Sequence, residues 1–285
     1  MERTALTGVT GKLGAMVARC LGAEEGLRYL ARQPQRVRNA GAIPVLSCAY
    51  ENTEQTRRAL QGVSVVLMIS ASESPQRLQQ HFVFIDAAKK AGVRHIVYTS
   101  FYGAAPTATF TLSRDHWRTE EYLKRSGLAY TIVRDNFYLD FFIDLCRTYG
   151  EIKGPAGDGK TSFILRQDVA AVLAAILKEP QRWADQTLEL TGEEALSLDE
   201  IAKQVGRFLG ADIPYIRETE REAYESRKRW PAEPWQYAAW VSTYTAMACG
   251  EQSGISDDVR RVLGRAPMTL SQYLVQCKSV NSDGE

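Results

Sequence analysis

Histidine and cysteine are scarce in this chain of 285 residues, which has three of the first and five of the second. The cysteines (Cys20, Cys48, Cys146, Cys249 and Cys277) are odd in number and far apart, and none forms a C-x-x-C pair. This speaks against a disulfide framework and a zinc spacing, so no metal is expected and the thiols are read as buried or free in a reducing cytoplasm. An excess of one charge is also missing. The 35 basic and 34 acidic side chains leave a net charge of +1, which gives no field for nucleic acid or an anionic membrane surface. The stretch 217–229 mixes both signs and reads as a solvated face. No apolar run reaches the ~18 residues that a membrane span needs. The opening MERTALTGVTGKLG lacks the apolar core and small-residue cleavage site of a signal peptide. The expectation is a cytoplasmic protein with a small-molecule partner, long enough for one large or two unequal domains.

What is present is alternation. Apolar runs predict strands at 4–6, 27–30, 43–46, 63–69, 95–99 and 130–133. Between them, amphipathic patterns predict helices over 12–21, 54–60, 76–91 and 115–126. In the third helix Phe82, Ile85, Ala88 and Ala91 mark one buried face, and Gly92 and Gly127 stand where C-cap glycines belong. Alternating β and α units imply a doubly wound parallel sheet of the α/β class. The pattern changes near residue 145. A Gly-rich loop (150–159) precedes a helix at 166–178, a strand at 187–190, and a capping box (Ser197 to Glu200) that starts a helix over 201–209. Residues 218–248 are helical in pattern. Their aromatics Trp230, Trp235, Tyr237, Trp240 and Tyr244 are read as core packing, with a pocket lining as the alternative. The expected organisation is a domain over 1–145, a smaller and partly interleaved C-terminal α/β region over 146–278, and a disordered tail at 279–285.

The loop between the first strand and the first helix reads Thr7, Gly8, Val9, Thr10, Gly11, Lys12, Leu13, Gly14. Gly8 permits a tight turn, Gly11 lets a pyrophosphate approach the backbone, and Gly14 allows close helix–strand contact. The helix N-terminus adds free N–H groups and a positive dipole. A strand–loop–helix context makes this a dinucleotide-binding pattern of Rossmann type rather than a glycine-rich turn. After the second strand the sequence runs Leu30, Ala31, Arg32, Gln33, Pro34, without the acid that would bind a ribose 2′-hydroxyl. Arg32 suits a 2′-phosphate, so NADP(H) is preferred over NAD(H). The plain alternative is a surface arginine.

The spacing TGxTGxxG with Arg32 resembles the NmrA-like atypical short-chain dehydrogenase/reductase family. Further motifs point to its branch of bacterial type 2 NAD(P)H:quinone oxidoreductases and triphenylmethane reductases. These are Ile69–Glu73, Ala87–Val93, Tyr98–Ser100, His116 with Thr119-Glu120, Ser126–Thr131, Arg134–Tyr138 and Ala156–Lys160. The resemblance runs from about residue 4 to 275 and implies a two-part α/β monomer that binds NADPH; a homodimer is the alternative. It places Thr7–Lys12 and Arg32 on the phosphates. It places Ser70, Ser74, Pro75, Gln76 and Thr99 along the cofactor, and Asn136, Phe137, Tyr138, Leu139, Asp140 and Phe141 on the nicotinamide side. Relatives commonly carry Gly-Trp-Tyr in place of Asn136-Phe137-Tyr138, Asn in place of Phe141 and Gln in place of Lys12. These departures bear on the shape of the acceptor pocket.

Classical members use a Tyr-x-x-x-Lys pair to move a proton. At the corresponding positions this chain has Leu112 and His116. The match at Tyr149 and Lys153 is read as coincidence, because Gly150 interrupts any helix there. Without the pair, reduction of a quinone-like or other conjugated electron acceptor remains open, because such an electrophile takes hydride directly. Tyr138, Tyr102, His81 and Ser100 are the candidate catalytic residues. The alternative reading is a non-catalytic NADP(H)-sensing regulator of the NmrA-like kind, which would act through a protein partner. An epimerase or dehydratase would need the missing pair.

Overall fold

The computed structural model describes residues 3–282. In chain order the elements begin β1 (Thr4–Leu6), α1 (Lys12–Leu21), β2 (Leu27–Ala31), β3 (Val45–Ser47), α2 (Glu54–Leu60), β4 (Val65–Met68) and α3 (Arg77–Lys90). They continue with β5 (His95–Phe101), α4 (Thr111–Arg125), β6 (Ala129–Asp135), α5 (Leu139–Tyr149), β7 (Ile152–Gly154), β8 (Lys160–Thr161) and α6 (Arg166–Lys178). The last are β9 (Gln186–Leu190), β10 (Leu196–Ser197), α7 (Leu198–Leu209), β11 (Tyr215–Arg217), α8 (Glu220–Arg227), α9 (Pro234–Ala248), α10 (Asp258–Leu263) and α11 (Leu270–Ser282). The remainder of the expected tail, 283–285, lies outside the described residues.

Two compact units interleave along the chain. The first comprises the chain up to Pro106, Asp115–Asp135 and Val169–Glu189; the second comprises Thr107–Arg114, Asn136–Asp168 and Leu190 onward. The first is built on a seven-stranded sheet in the order β3-β2-β1-β4-β5-β6-β9, and the register pairs from β3 through β6 are all parallel. The fold is therefore the expected doubly wound Rossmann-type α/β sheet. Its strands read as unbroken apolar runs because both faces are covered: all four residues of β4 and all seven of β5 are buried. The strand order reverses between β1 and β4, and a parallel sheet of this kind receives ligands beyond the carboxyl ends of the strands at such a point.

The second unit has its own core, centred on Phe142, Ile143, Ile152, Phe163, Ile201 and Leu270. Two small two-stranded sheets, β10-β8 and β11-β7, tie its loops together. The expected capping box on α7 is present, with Ser197 Oγ accepting from Glu200 N at 3.2 Å and Glu200 accepting from Ser197 N at 2.7 Å. The helical pattern over 218–248 is broken into α8 and α9, because prolines fall at 231 and 234 and Pro234 is tolerated only at the first position of α9. Among the described residues no helix is long and apolar enough to cross a membrane.

Candidate cofactor site

The carboxyl end of β1 runs into a loop shaped by three glycines. Gly8 has φ +67°, a conformation that favours glycine, and a Cβ there would lie 3.0 Å from Ile69 Cβ. At Gly14 a Cβ would come within 2.2 Å of the Gly8 carbonyl oxygen, so only glycine lets α1 sit against the loop. Gly11 has an ordinary φ of −91° and meets only the Gly8 carbonyl oxygen, at 3.3 Å. The backbone there does not require glycine, and a Cβ would be only mildly crowded within the fold. Helix α1 has no side-chain cap and no acidic residue in its first turn. Its amino end thus carries a positive dipole and N–H groups that no side chain caps, the setting in which a helix end can accept an anion. Gly8, Thr10, Gly11 and Lys12 are exposed around it, while Val9 and Leu13 are buried and anchor the loop.

The loop after β4 is held by side chains. Thr7 Oγ1 accepts from Ile69 N at 3.0 Å and donates to Leu67 O at 2.9 Å. Thr99 Oγ1 accepts from Ser70 N at 2.8 Å, and His81 Nε2 accepts from Ala71 N at 2.8 Å. Three successive backbone N–H groups are thus satisfied from the residue after β1, from β5 and from α3. Tyr50, stacked on Phe84 at 4.3 Å, adds a fourth tie by donating to the Ile69 carbonyl. Thr7, Thr99 and His81 are all buried, so their side chains brace the loop that resemblance places along the cofactor. These ties leave the loop little freedom to rearrange. Farther along it, the hydroxyl of Ser74 is buried without a hydrogen-bond partner, while Pro75 and Gln76 are exposed. Arg32, at the carboxyl end of β2, is exposed and makes no hydrogen bond or ion pair among the described residues.

The expected nicotinamide-side residues belong to the second unit. Asn136 is buried, with Nδ2 donating to Ser162 Oγ and to Gln252 O, both at 3.0 Å, and Oδ1 accepting from Phe137 N at 2.8 Å. Leu139 is buried in the core of that unit. Asp140 is ion-paired to Arg166, whose guanidinium lies 4.3 Å from the centroid of the Tyr138 ring. Phe137 stands edge-on to Phe110, with centroids 5.2 Å apart. Phe141 is 44% exposed.

The NAD(P)H-binding family model matches residues 8–180. Quinone oxidoreductase 2 of Escherichia coli is 34% identical over 219 residues, which cover 74% of this chain and 76% of that protein. The chain belongs to the NAD(P)H-binding family. The NAD(P)H azoreductase of Xenophilus azovorans is 28% identical over 274 residues, covering 94% of this chain and 95% of that protein. Among solved structures, the NADPH-dependent quinone oxidoreductase of Escherichia coli complexed with NADPH has a TM-score of 0.88 at 29% identity, covering 96% of this chain and 99% of that one. The chain is thus a member of a family of NAD(P)H-dependent oxidoreductases.

Within this family frame, the candidate catalytic residues occupy unlike settings. Ser100 is buried and donates to Glu120 Oε1 at 2.5 Å. Glu120 in turn takes two hydrogen bonds from Arg134, at 2.8 and 2.7 Å. His81 is fully buried, and desolvation together with the charge of Arg77 brings its pKa down to about 3. With Nε2 accepting, the proton sits on Nδ1, which faces Thr119 Oγ1 at 2.9 Å. His116 behaves likewise: Arg77 donates to its Nε2 at 2.8 Å and its Nδ1 lies 3.0 Å from the Tyr98 hydroxyl. Burial, and then Arg77, hold His116 well below the usual histidine range. Both rings are neutral structural links. Tyr102 is different: it is half-buried, and its hydroxyl has no hydrogen bond among the described residues. Burial, followed by the charge of Glu189, raises its pKa, so the phenol stays protonated at neutral pH.

Gly150 takes a left-handed conformation (φ 68°) and ends α5. Tyr149 and Lys153 therefore do not share a helical face. A second match to Tyr-x-x-x-Lys, Tyr224 with Lys228, closes α8, and its lysine donates to Glu225 at 2.6 Å. Residues that the sequence did not single out, Tyr50 and Arg77, complete the bracing, together with Glu120, which entered only as part of a motif and without a role. Arg77 Nε donates to Ala71 O at 2.9 Å and is buried, a setting that helical spacing in α3 gives no hint of.

Proposed function

We propose that the protein is an NADPH-dependent reductase whose acceptor is a quinone-like or other conjugated electrophile. Arg32 carries the cofactor half of this reading. It is exposed and unpaired at the end of β2, and no carboxylate follows that strand to bind a ribose 2′-hydroxyl. Other features support the same reading: Gly11 is exposed beside the uncapped amino end of α1, where the only atom near an added Cβ is the Gly8 carbonyl oxygen, and the Ser74 hydroxyl is buried without a partner. The exposed loop residues Thr10–Lys12 and the amino end of α1 would hold the pyrophosphate, Arg32 the 2′-phosphate, and Ser70–Gln76 the cofactor's flank. When bound, the dihydronicotinamide supplies a hydride, so a quinone becomes a hydroquinone on taking one further proton.

The chain's own part is to orient the reactants and supply or admit that proton. Tyr102, protonated and without a partner, is the side chain we assign to it; solvent is the other source. Leu112 and His116 stand where a Tyr-Lys pair would be, and a neutral, fully engaged His116 offers no replacement for the lysine. An acceptor that takes hydride without prior protonation suits this arrangement better than a ketone. The names of the quinone oxidoreductase and azoreductase relatives support the same acceptor class. Turnover of NADPH and NADH by the purified protein with benzoquinone, menadione, a triphenylmethane dye and an aldehyde tests the proposal. Oxidation with quinone or dye, faster with NADPH and absent with the aldehyde, is expected. No turnover with any acceptor, alongside tight NADP(H) binding, would replace it with a dinucleotide-sensing regulator that acts through a protein partner.

A further inference from the structure

We propose that the second unit carries a separate binding site for a planar aromatic anion, in a cavity of about 440 Å³ walled by α5, β7, α8 and α9. Apart from Phe141 at its rim, which the resemblance places on the nicotinamide side, the lining residues are given no part in holding the cofactor, and the proposal stands whether or not the protein is a reductase.

The local fold makes the cavity. The left-handed Gly150 ends α5 and turns the chain directly into β7, so Tyr149 and Lys153 both reach the wall. The link between α8 and α9 is fixed by Tyr237, whose hydroxyl donates to Trp230 O at 2.9 Å and accepts from Ala232 N at 3.2 Å. That holds Trp230 edge-on to Tyr149, with centroids 6.3 Å apart. Tyr244 closes the floor against Gly154, where a Cβ would come within 2.2 Å of its ring. Phe141, Tyr149 and Trp230 remain 44, 48 and 39% exposed around this space. Large aromatics gathered on a concave wall with a few polar groups are the usual composition of a small-ligand site.

Charge selects the ligand. Arg227 and Lys153 share one carboxylate, Glu218, at 2.8 and 3.5 Å. Arg229 has no such partner: its guanidinium stacks 3.8 Å from the Trp230 ring centroid and makes no hydrogen bond or ion pair among the described residues. Glu151 is the one carboxylate among the lining residues. Three cations against Glu218 and Glu151 leave one positive charge, on a guanidinium already laid flat on an indole. A planar ring system can stack beside Trp230 and Trp240 while a carboxylate takes the guanidinium's paired N–H groups.

Calorimetric titration of the full-length protein, with NADP⁺ present to cover the dinucleotide loop, tests this with 2-naphthoate, its neutral isostere 2-naphthamide and the non-aromatic cyclohexanecarboxylate. The expected result is one site for 2-naphthoate, with both analogues weaker by about five-fold or more. Arg229 is exposed, so Arg229→Gln should keep the melting temperature and bring 2-naphthoate down to the level of the amide. Trp240→Leu should weaken all aromatic ligands while leaving the acid-to-amide ratio intact. Absence of 2-naphthoate binding, equal binding of acid and amide, or wild-type affinity in Arg229→Gln would each overturn the proposal.

Discussion

The two units use polar side chains in opposite ways. In the first, Thr7, Thr99 and His81 point inward and satisfy the N–H groups of Ile69, Ser70 and Ala71. The surface beyond β1 and β4 is then left to glycine backbone and an uncapped helix end. In the second, the backbone is tied off by two small sheets, and aromatic and cationic side chains face the cavity. A backbone site needs a few residues close in sequence and a rigid support. A side-chain site collects its members from wherever the fold delivers them, here from residue 141 to residue 244.

The comparison breaks most visibly at Gly11. If phosphates lie against its backbone, Gly11→Val should lower NADPH affinity about 100-fold or more, because an added side chain occupies the ligand's space. Its φ is open to other residues and only the Gly8 carbonyl is near. The fold should therefore survive, with a circular dichroism spectrum like the parent's. Unchanged affinity in a folded variant would show that the loop does not receive the cofactor.

A smaller effect sharpens the view of the first unit as a braced scaffold. His81 and His116 are held neutral below the usual histidine range. The unfolded chain binds protons on both near pH 6.5, whereas folded His81 does so only near 3. Their contribution is complete above about pH 6.5 and is lost as the pH falls from there towards the folded values. Each histidine adds a slope of about 1.4 kcal/mol per pH unit inside that window. His81→Gln retains an acceptor for the Ala71 N–H and removes one of the two protons. Urea unfolding followed from pH 7 to pH 5 should show the acid slope reduced by about one proton's worth. An unaltered slope would mean that His81 is not the buried neutral link described.

Much of the first unit was legible in the sequence. The bounds of β1, α1 and α2 agree with those read from periodicity, and the glycine spacing located the loop, because each depends on neighbours in the chain. Beyond that, local signals gave out. Pro44 lacks the N–H that an early β3 would use, so the strand begins at Val45 rather than residue 43. Helix α4 starts a turn earlier than its apolar pattern suggested, at Thr111, whose N–H lies 3.2 Å from Ser242 Oγ, 131 residues away. Strands β7, β8, β10 and β11 have two or three residues each, too few to show a period of two. Tyr50, Arg77 and Glu120 act through partners distant in sequence, which residue type alone does not disclose. The aromatics of 230–244 divide in a way that spacing could not foresee: Trp230, Trp240 and Tyr244 line the cavity, while Tyr237 fastens the link before α9.

The most direct test of the account is the pair of affinities for NADPH and NADH, measured by calorimetry on the wild-type protein and on Arg32→Asp. Arg32 is exposed and unpaired, so the substitution leaves the fold alone and alters only what the end of β2 offers a ribose. The account predicts that the wild type binds NADPH at least about ten-fold more tightly than NADH, and that Arg32→Asp removes or inverts this preference by weakening NADPH alone. Equal affinity for the two cofactors in the wild type, or an equal loss of both in the variant, would contradict it.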